Sequence, residues 1–413
     1  MAVTKSARTA AWSRRKLLSY SVLVFVLLFL ITEAICRIVF FFAHQGLHTT
    51  VYIQGSPLKV GDPLLQWKNR PFYTDHNRLF QYNQQSMKSM VGDVFIPAKN
   101  KDDFWIVLTG ASAMEGMGSN KNGEWIDITG REDYAADATI GFYLQQLVQQ
   151  QLPAKKVKVF NAACSGYCVY QSYYRWMQLS GKMEADWVVS MDGFNEPASL
   201  KANESVQDVL EKDWAASPQF HFPLNAIVFL TSHSAFINAV KQAIFHMRQS
   251  WRAESNRQKQ FPYRQKWRDT AVPPVRFSVV SRGIQDAVDS FALTLHKYDS
   301  LLSSQHINHL LLVQPHMSLR DTTQLGDEEK AVNHYYRAAF NDADRNLFMK
   351  LLHRKFGTQV PAAKNIFSMD AVHRWKEEVF VDYCHFTVAA NKKIAAEICR
   401  YIISSGKAPV FPN

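Results

Sequence analysis

Four short apolar runs, each ending in small or polar residues, constrain the fold of this chain more than any other feature. They read FWIVLTG at 104–110, VKVFNA at 157–162, DWVVSMDG at 186–193 and HLLLVQP at 309–315. Runs of this length with apolar residues on both faces are typical of strands buried in a parallel sheet. The sequence therefore predicts at least four parallel strands in one core.

Helical patterns separate these runs. Apolar residues recur at helical spacing over 140–151, 170–179 and 284–302, and again over 388–403 after the last run. Alternation of strand and helix predicts right-handed crossovers and a three-layer, doubly wound, mainly parallel α/β sheet. Ligands of such sheets bind at the carboxyl ends of the strands, so we expect the chemistry in the residues that follow each run.

The amino-terminal region carries a different signal. Residues 17–31 read LLSYSVLVFVLLFLI, and a helix over 17–42 would be long enough to cross the ~30 Å core of a bilayer. Residues 1–16 hold five basic and no acidic side chains, which predicts a cytoplasmic N-terminus and an extracytoplasmic remainder. The absence of a small-x-small motif after the run favours a retained anchor over the alternative, a cleaved signal peptide. Glu33 and Arg37 are spaced to pair at the outer interface.

The rest of the chain divides into three predicted parts. Residues 43–100, rich in Gln, Asn, Pro and Gly, are expected to form a linker and loop-rich segment, and 101–413 the main domain, with a basic helical insertion at about 197–285. Within that insertion, 241–276 hold nine Lys or Arg, two acids and interleaved aromatic residues. Outside the membrane, this composition suits contact with anionic lipid or polysaccharide rather than nucleic acid. The default interpretation remains a solvated basic insertion packed on the main domain, and contact with such polyanions is the alternative.

The five cysteines show no CxxC or Cys/His spacing of a zinc site. Cys36 lies in the predicted anchor. Among Cys164, Cys168 and Cys384, one disulfide and buried free thiols both remain open from the sequence.

Chemically useful residues follow the predicted strands. Ser112 stands two residues after Gly110, Gly166 lies in NAACSGY, and Asn195 lies in DGFNE. Late in the chain, VDYCHFT places Asp382 and His385 three residues apart. Taken singly, Ser112 or Asp382 is explained as a helix or turn cap and Asn195 as a turn residue, but Thr387 already supplies the cap of the last helix.

These blocks, in this order, resemble the SGNH hydrolase (GDSL esterase/lipase) superfamily. The likeness is strongest to membrane-anchored bacterial members with a V-x-N-A-x-x-S-G-Y turn and a D-G-F-N-[DE] loop. The resemblance implies a flavodoxin-like fold and a triad in which Ser112 is the nucleophile, His385 the general base and Asp382 the residue that orients it. It also implies an oxyanion hole formed by the N–H groups of Ser112 and Gly166 and the amide of Asn195.

The residue types suit these roles. A serine hydroxyl needs an adjacent base, and histidine titrates nearest neutrality. A carboxylate can hold the imidazole in one tautomer, and a neutral amide can donate to developing negative charge. Ala111 departs from the Asp or Gly common in the family, which leaves the triad intact but weakens substrate inference from relatives.

The sequence thus predicts a membrane-anchored serine esterase acting on an O-acyl ester of an envelope glycan or lipid, with no metal or organic cofactor implied. Two alternatives remain. The same acyl-enzyme would serve an O-acyltransferase if a sugar hydroxyl resolved it. A non-catalytic envelope assembly protein that binds polyanions would retain the fold without the chemistry.

Overall fold

The protein is described here by a computed structural model. The residues that the structure describes are 14–42, 59–62, 64–74, 80–90, 92–117, 136–196, 281–327, 329–330, 343–357 and 365–404, with Ser234, Phe236, Ile237, Val240 and Asn333.

A seven-stranded sheet forms the centre of the main domain. Its strands in chain order are β3 Gln81–Tyr82, β4 Lys88–Ser89, β5 Asp103–Gly110, β6 Lys156–Asn161, β7 Trp187–Asp192, β8 Asn308–Val313 and β9 Ile366–Ser368. Across the sheet the order is β3-β4-β6-β5-β7-β8-β9. The five strands from β6 to β9 are mutually parallel, and β3 and β4 add an antiparallel edge. The predicted mainly parallel sheet is therefore confirmed.

The order of the parallel strands locates the binding edge. If the five parallel strands are numbered in chain order, their order across the sheet is 2-1-3-4-5, which is the flavodoxin-like arrangement. The chain leaves β5 towards β6 on one side and later returns to β7 on the other. The topological switch point therefore lies between β5 and β7, and ligands of such sheets bind beyond the carboxyl ends of the strands there.

Helices cover both faces of this sheet. They are α2 Ser112–Glu115, α3 Ile140–Gln151, α4 Val169–Ser180, α5 Ser281–Ser304, α6 Ala343–Gly357 and α7 Val388–Ile403. On one face α3 and α7 pack against alternate strand residues such as Ile106 and Leu108. On the other, α4, α5 and α6 pack against the intervening residues, including Val107 and Val188. Because strand side chains alternate between faces, two apolar cores form, which confirms the three predicted layers.

The amino-terminal apolar run is a single helix, α1 Arg14–Phe42. It contains the one described segment long and apolar enough to cross a membrane, 16–39, and no part of that window is buried inside the protein. Arg37 Nη2 and Glu33 Oε1 form the predicted pair at 2.8 Å. The other oxygen of Glu33 accepts from Ser234 Oγ at 2.8 Å and from the backbone N–H of Phe236 at 3.0 Å.

The segment predicted to be loop-rich holds two short antiparallel pairs. β1 Lys59–Asp62 pairs with β2 Gln66–Asn69, and β3 pairs with β4 at the edge of the main sheet. Sequence reasoning singled out neither of these pairs, nor α6 or β9. The basic stretch 241–276 lies outside the described residues, and with it both interpretations, the solvated insertion and the contact with anionic lipid or polysaccharide.

Candidate active site

Ser112 lies at the carboxyl end of β5, the central strand, on the first turn of α2. The turn requires glycine at 110, where φ is +135° and a Cβ would lie 2.5 Å from the carbonyl oxygen of Met191. This close approach lets β5 and β7 stay paired to their ends, where Ala111 N–H donates to Met191 O at 3.2 Å. Ser112 therefore emerges at the switch point, with 6% of its surface exposed.

Asp382 and His385 lie on a tight turn that the end of β8 holds in place. Gln314 Nε2 donates to Cys384 O at 2.9 Å, and Met317 N–H donates to Tyr383 O at 3.0 Å. The turn is closed by Val381 N–H donating to His385 O at 3.0 Å. The residues after β8 thus carry the Asp–His turn to the same edge as Ser112.

The side chains of Ser112, His385 and Asp382 form one continuous chain of hydrogen bonds. His385 Nε2 lies 2.7 Å from Ser112 Oγ, and His385 Nδ1 lies 2.5 Å from Asp382 Oδ2. An ionised carboxylate only accepts, so Nδ1 carries the ring proton and Nε2 is left to accept from the serine hydroxyl. This is the tautomer that a general base for Ser112 needs.

The electrostatics keep Asp382 charged. Burial acts to raise its pKa, but the facing His385 ring and the N–H groups of Cys384 and His385 outweigh it and hold the pKa below its ordinary value. Those two N–H groups donate to Oδ1 at 2.8 and 2.7 Å. One oxygen of Asp382 therefore fixes the turn while the other orients the imidazole.

Cys384 places a second nucleophilic group, a thiol, beside His385, with 3.6 Å between Cys384 Sγ and His385 Nδ1. Burial, followed by the charge of Asp382, raises the pKa of Cys384 well above its ordinary value, so it stays a neutral thiol. All five cysteines are free, so the disulfide alternative among Cys164, Cys168 and Cys384 is not formed.

The three predicted oxyanion donors come from adjacent loops. The Ser112 N–H is the first of helix α2, a position without an intrahelical acceptor. Gly166, at φ +86°, lies in the turn after β6, which Cys164 N–H ties to Gly110 O at 3.0 Å. Asn195 Nδ2 donates to Tyr167 O at 2.8 Å, which uses one amide N–H and leaves the other available. The structure thus brings the loops of all five predicted residues together.

Sequence reasoning assigned no role to three residues that bind the turn after β6. Lys59 Nζ and Trp67 Nε1 both donate to Ser165 O, the tryptophan at 3.2 Å. From the other side, Glu115 Oε2 accepts from Ser165 N–H at 2.5 Å. Lys59 and Trp67 belong to the β1–β2 hairpin, whose short polar strands have no periodicity from which this contact could be predicted.

A buried carboxyl pair lies behind Asn195. Burial, reinforced by Asp192, raises the pKa of Glu196 to about 8, so its carboxyl group is protonated near neutral pH. Glu196 Oε1 accepts from Val169 N–H at 2.7 Å. Burial also raises the pKa of Asp192 to about 6, although hydrogen bonds from Ser190 and Ser172 act to lower it. This pair anchors the loop of Asn195 to the start of α4.

His316, which follows β8 at the same edge of the sheet, is a buried loop histidine. Its ring is stacked on Phe194 with 5.5 Å between centroids, and only 4% of its surface is exposed. Burial lowers its pKa to about 3, so the ring is neutral. It supports the aromatic side chain that precedes Asn195.

Two clusters in the described part of the chain have metal-ligand atoms within 4.8 Å of one another. One is Asp382, Cys384 and His385, already described. In the other, His353 Nδ1 contacts Asp370 at 2.6 Å, and His373 Nε2 accepts from His316 N–H at 3.1 Å. Hydrogen bonds within the protein account for both geometries.

No family model matches this chain, and no curated protein matches it. Among solved structures it is similar to an aryl esterase from M. smegmatis, with 12% identity over 73% of this chain and 99% of that one, and a TM-score of 0.34. It is also similar to a lipase/acylhydrolase from Enterococcus faecalis, with 13% identity over 73% of this chain and 96% of that one, and a TM-score of 0.32. It is similar as well to an acetylxylan esterase from Geobacillus stearothermophilus, with 13% identity over 74% of this chain and 96% of that one, and a TM-score of 0.29. At these scores the similarities carry no argument about activity.

Proposed function

We propose that this chain is a serine ester hydrolase that works through an acyl-enzyme on Ser112. The observation that carries the proposal is the unbroken Ser112–His385–Asp382 chain, with 2.7 and 2.5 Å between successive groups. The cluster lies at the switch point of a flavodoxin-like sheet, where such folds bind their ligands. A core histidine with a merely structural role would not need a serine on one side and an ionised carboxylate on the other.

The proposed reaction has two halves, acylation of Ser112 and hydrolysis of the acyl-enzyme, and each group acts in both. Ser112 Oγ attacks the ester carbonyl carbon while its proton passes to His385 Nε2, and the carbonyl electron pair moves onto oxygen. The N–H groups of Ser112 and Gly166 and the amide of Asn195 stabilise that oxyanion. Collapse expels the alcohol oxygen, which takes the proton from His385 and leaves the acyl group on Ser112. Water then repeats both steps and releases the acid.

The substrate class follows from the proposed position of the domain. We propose that α1 anchors the chain, with residues 1–16 in the cytoplasm and the main domain outside. A tethered catalytic domain meets the esters of its own membrane surface, and an O-acyl group on an envelope glycan or a lipid ester fits that position. The ion pair of Glu33 and Arg37, near the carboxyl end of α1, suits the outer interface, where water reaches both groups.

A fluorophosphonate probe tests the chemistry. The full chain in detergent is expected to label, to hydrolyse a p-nitrophenyl ester, and to lose both activities in Ser112→Ala. Ser180→Ala is the control, because Ser180 is the last residue of α4 and its hydroxyl donates to Met177 O within the same helix, away from the proposed site. A wild-type chain that neither labels nor hydrolyses short-chain esters would support the non-catalytic alternative and end this proposal.

A further inference from the structure

We propose that Lys59 and Trp67 are positioning residues that aim and polarise the N–H of Gly166. This inference deepens the proposed function and rests on it, since it concerns the oxyanion hole of that reaction. It assigns a catalytic consequence to the β1–β2 hairpin, which precedes the main sheet in the chain and contributes no strand to it.

The two side chains converge on a single carbonyl group. Lys59 Nζ donates to Ser165 O, and Trp67 Nε1 donates to the same oxygen at 3.2 Å. The Lys59 ammonium also lies 5.4 Å from the centre of the Trp67 ring, so a cation–π contact holds the pair together. A carbonyl has two lone pairs, and both are engaged here by donors from neighbouring strands of one hairpin.

The consequence for Gly166 comes from peptide geometry. The Ser165 carbonyl and the Gly166 N–H belong to the same planar trans peptide and point in opposite directions. Binding the oxygen from the hairpin side therefore directs the N–H away from the hairpin. A positive charge at the oxygen also polarises the amide, and a polarised N–H is a stronger donor to an anion.

Other contacts hold the turn rigid around this peptide. The Glu115 carboxylate, 1% exposed, accepts from Ser165 N–H at 2.5 Å and from the Tyr82 hydroxyl at 2.5 Å. The Trp67 ring packs on Gly166 so closely that a Cβ there would lie 3.3 Å from Trp67 Cζ2. The peptide bearing the proposed donor is thus restrained from the hairpin and from α2 together.

The hairpin itself supplies a matched control. Lys68, on β2, directs its ammonium to Asp62, with which it forms an ion pair at 3.1 Å, and not to Ser165 O. Lys59→Met removes the ammonium at the carbonyl, Trp67→Phe removes only the indole donor, and Lys68→Met removes a lysine from the same hairpin. Lys59→Arg restores a charged donor at the first position.

The test measures kcat and KM for a p-nitrophenyl ester, and the inhibition constant of a boronic acid whose adduct places a negative oxygen in the oxyanion hole. Lys59→Met is expected to lower kcat tenfold or more and Trp67→Phe about fivefold, with KM within twofold of wild type. Boronate affinity should weaken by the same factors. Lys59→Arg should recover most of kcat, and Lys68→Met should match wild type.

The failures of the two proposals are distinguishable. An active wild type whose Lys59→Met and Trp67→Phe variants keep kcat within twofold overturns the positioning role alone. Equal impairment of Lys68→Met and Lys59→Met also overturns it, since the folding of the hairpin would then explain the loss. An inactive wild type overturns both proposals.

Discussion

Gln314 and Cys384 are joined by a hydrogen bond of 2.9 Å from the Gln314 side-chain amide to the Cys384 carbonyl. Gln314 is the first residue after β8, and Cys384 lies between Asp382 and His385 on the turn. The strand end thereby positions His385, the proposed general base, whose hydrogen-bond partner Ser112 lies 273 residues earlier in the chain. The precision of the proposed triad thus depends on the sheet as much as on the turn.

Replacing Asp382 by Asn should abolish most activity and leave the fold nearly intact. The Asn carbonyl can still accept from the N–H groups of Cys384 and His385, but the NH₂ group would face His385 Nδ1 and favour the wrong tautomer. A loss in kcat on the order of 10⁴-fold is expected, with Tm little changed. Asp382→Ala should lose both activity and Tm, because the turn also loses its acceptor.

Replacing Asn195 by Ala should reduce kcat by roughly 100- to 1,000-fold through loss of one oxyanion donor. KM for a small ester should change little, because the donor acts on charge that develops in the transition state. Steady-state kinetics on the purified chain measure both. Equal kcat in Asn195→Ala and wild type would show that Asn195 serves only to hold Tyr167 O.

Stability near neutral pH should depend on Glu196. Its raised pKa of about 8 means that the folded chain keeps a proton that the unfolded chain loses above its ordinary pKa of ~4.3. Between those values the folded state binds more protons, so stability falls as pH rises, by up to ~1.4 kcal/mol per pH unit, and levels off above about 8.

Asp192, with its pKa raised to about 6, also makes stability fall as pH rises, but at lower pH than Glu196 does. Above about pH 6 Asp192 contributes little, whereas His316, neutral when folded, contributes with the opposite sign below its ordinary pKa of ~6.5, so Glu196 is isolated by comparing wild type with a Glu196 variant. Glu196→Gln preserves an acceptor for Val169 N–H and removes the titration, so its Tm should decline less than that of wild type from about pH 6 to about pH 8. Parallel Tm curves for the two proteins would contradict a protonated Glu196.

Gly110→Ala should be severely destabilising. The new Cβ would meet Met191 O at 2.5 Å, and the φ of +135° is strained for any residue with a side chain. A loss of ~3 kcal/mol or more is expected, with a matching fall in Tm. Gly181→Ala is the control, because its Cβ would have no neighbour within 4 Å and the backbone is in the right-handed helical region. Similar Tm values for the two variants would refute the packing argument.

The sequence alone determined the local elements of the core. Apolar runs with no polar face predicted β5, β6, β7 and β8 nearly to their ends, and helical spacing predicted α3 and α7 with the bounds observed. These signals are local, because burial of a strand or a helix face is recorded in residues two to four positions apart. The three residues of β9 are too few for such a pattern, whereas α6 has Phe348, Leu352 and Phe356 at helical spacing and could have been found.

Only the tertiary structure decided which residues meet. Ser112, Gly166, Asn195 and the Asp382–His385 turn were each visible in the sequence, but their contact depends on the strand order and on the register that brings Gly110 beside Met191. Lys59 and Trp67 carry no local signal, since a lysine and a tryptophan in a short polar hairpin look the same wherever the hairpin packs. Periodicity in the sequence reflects which face of a strand or helix is buried, which depends on residues close in the chain. An active site depends on residues that are close only in the folded structure.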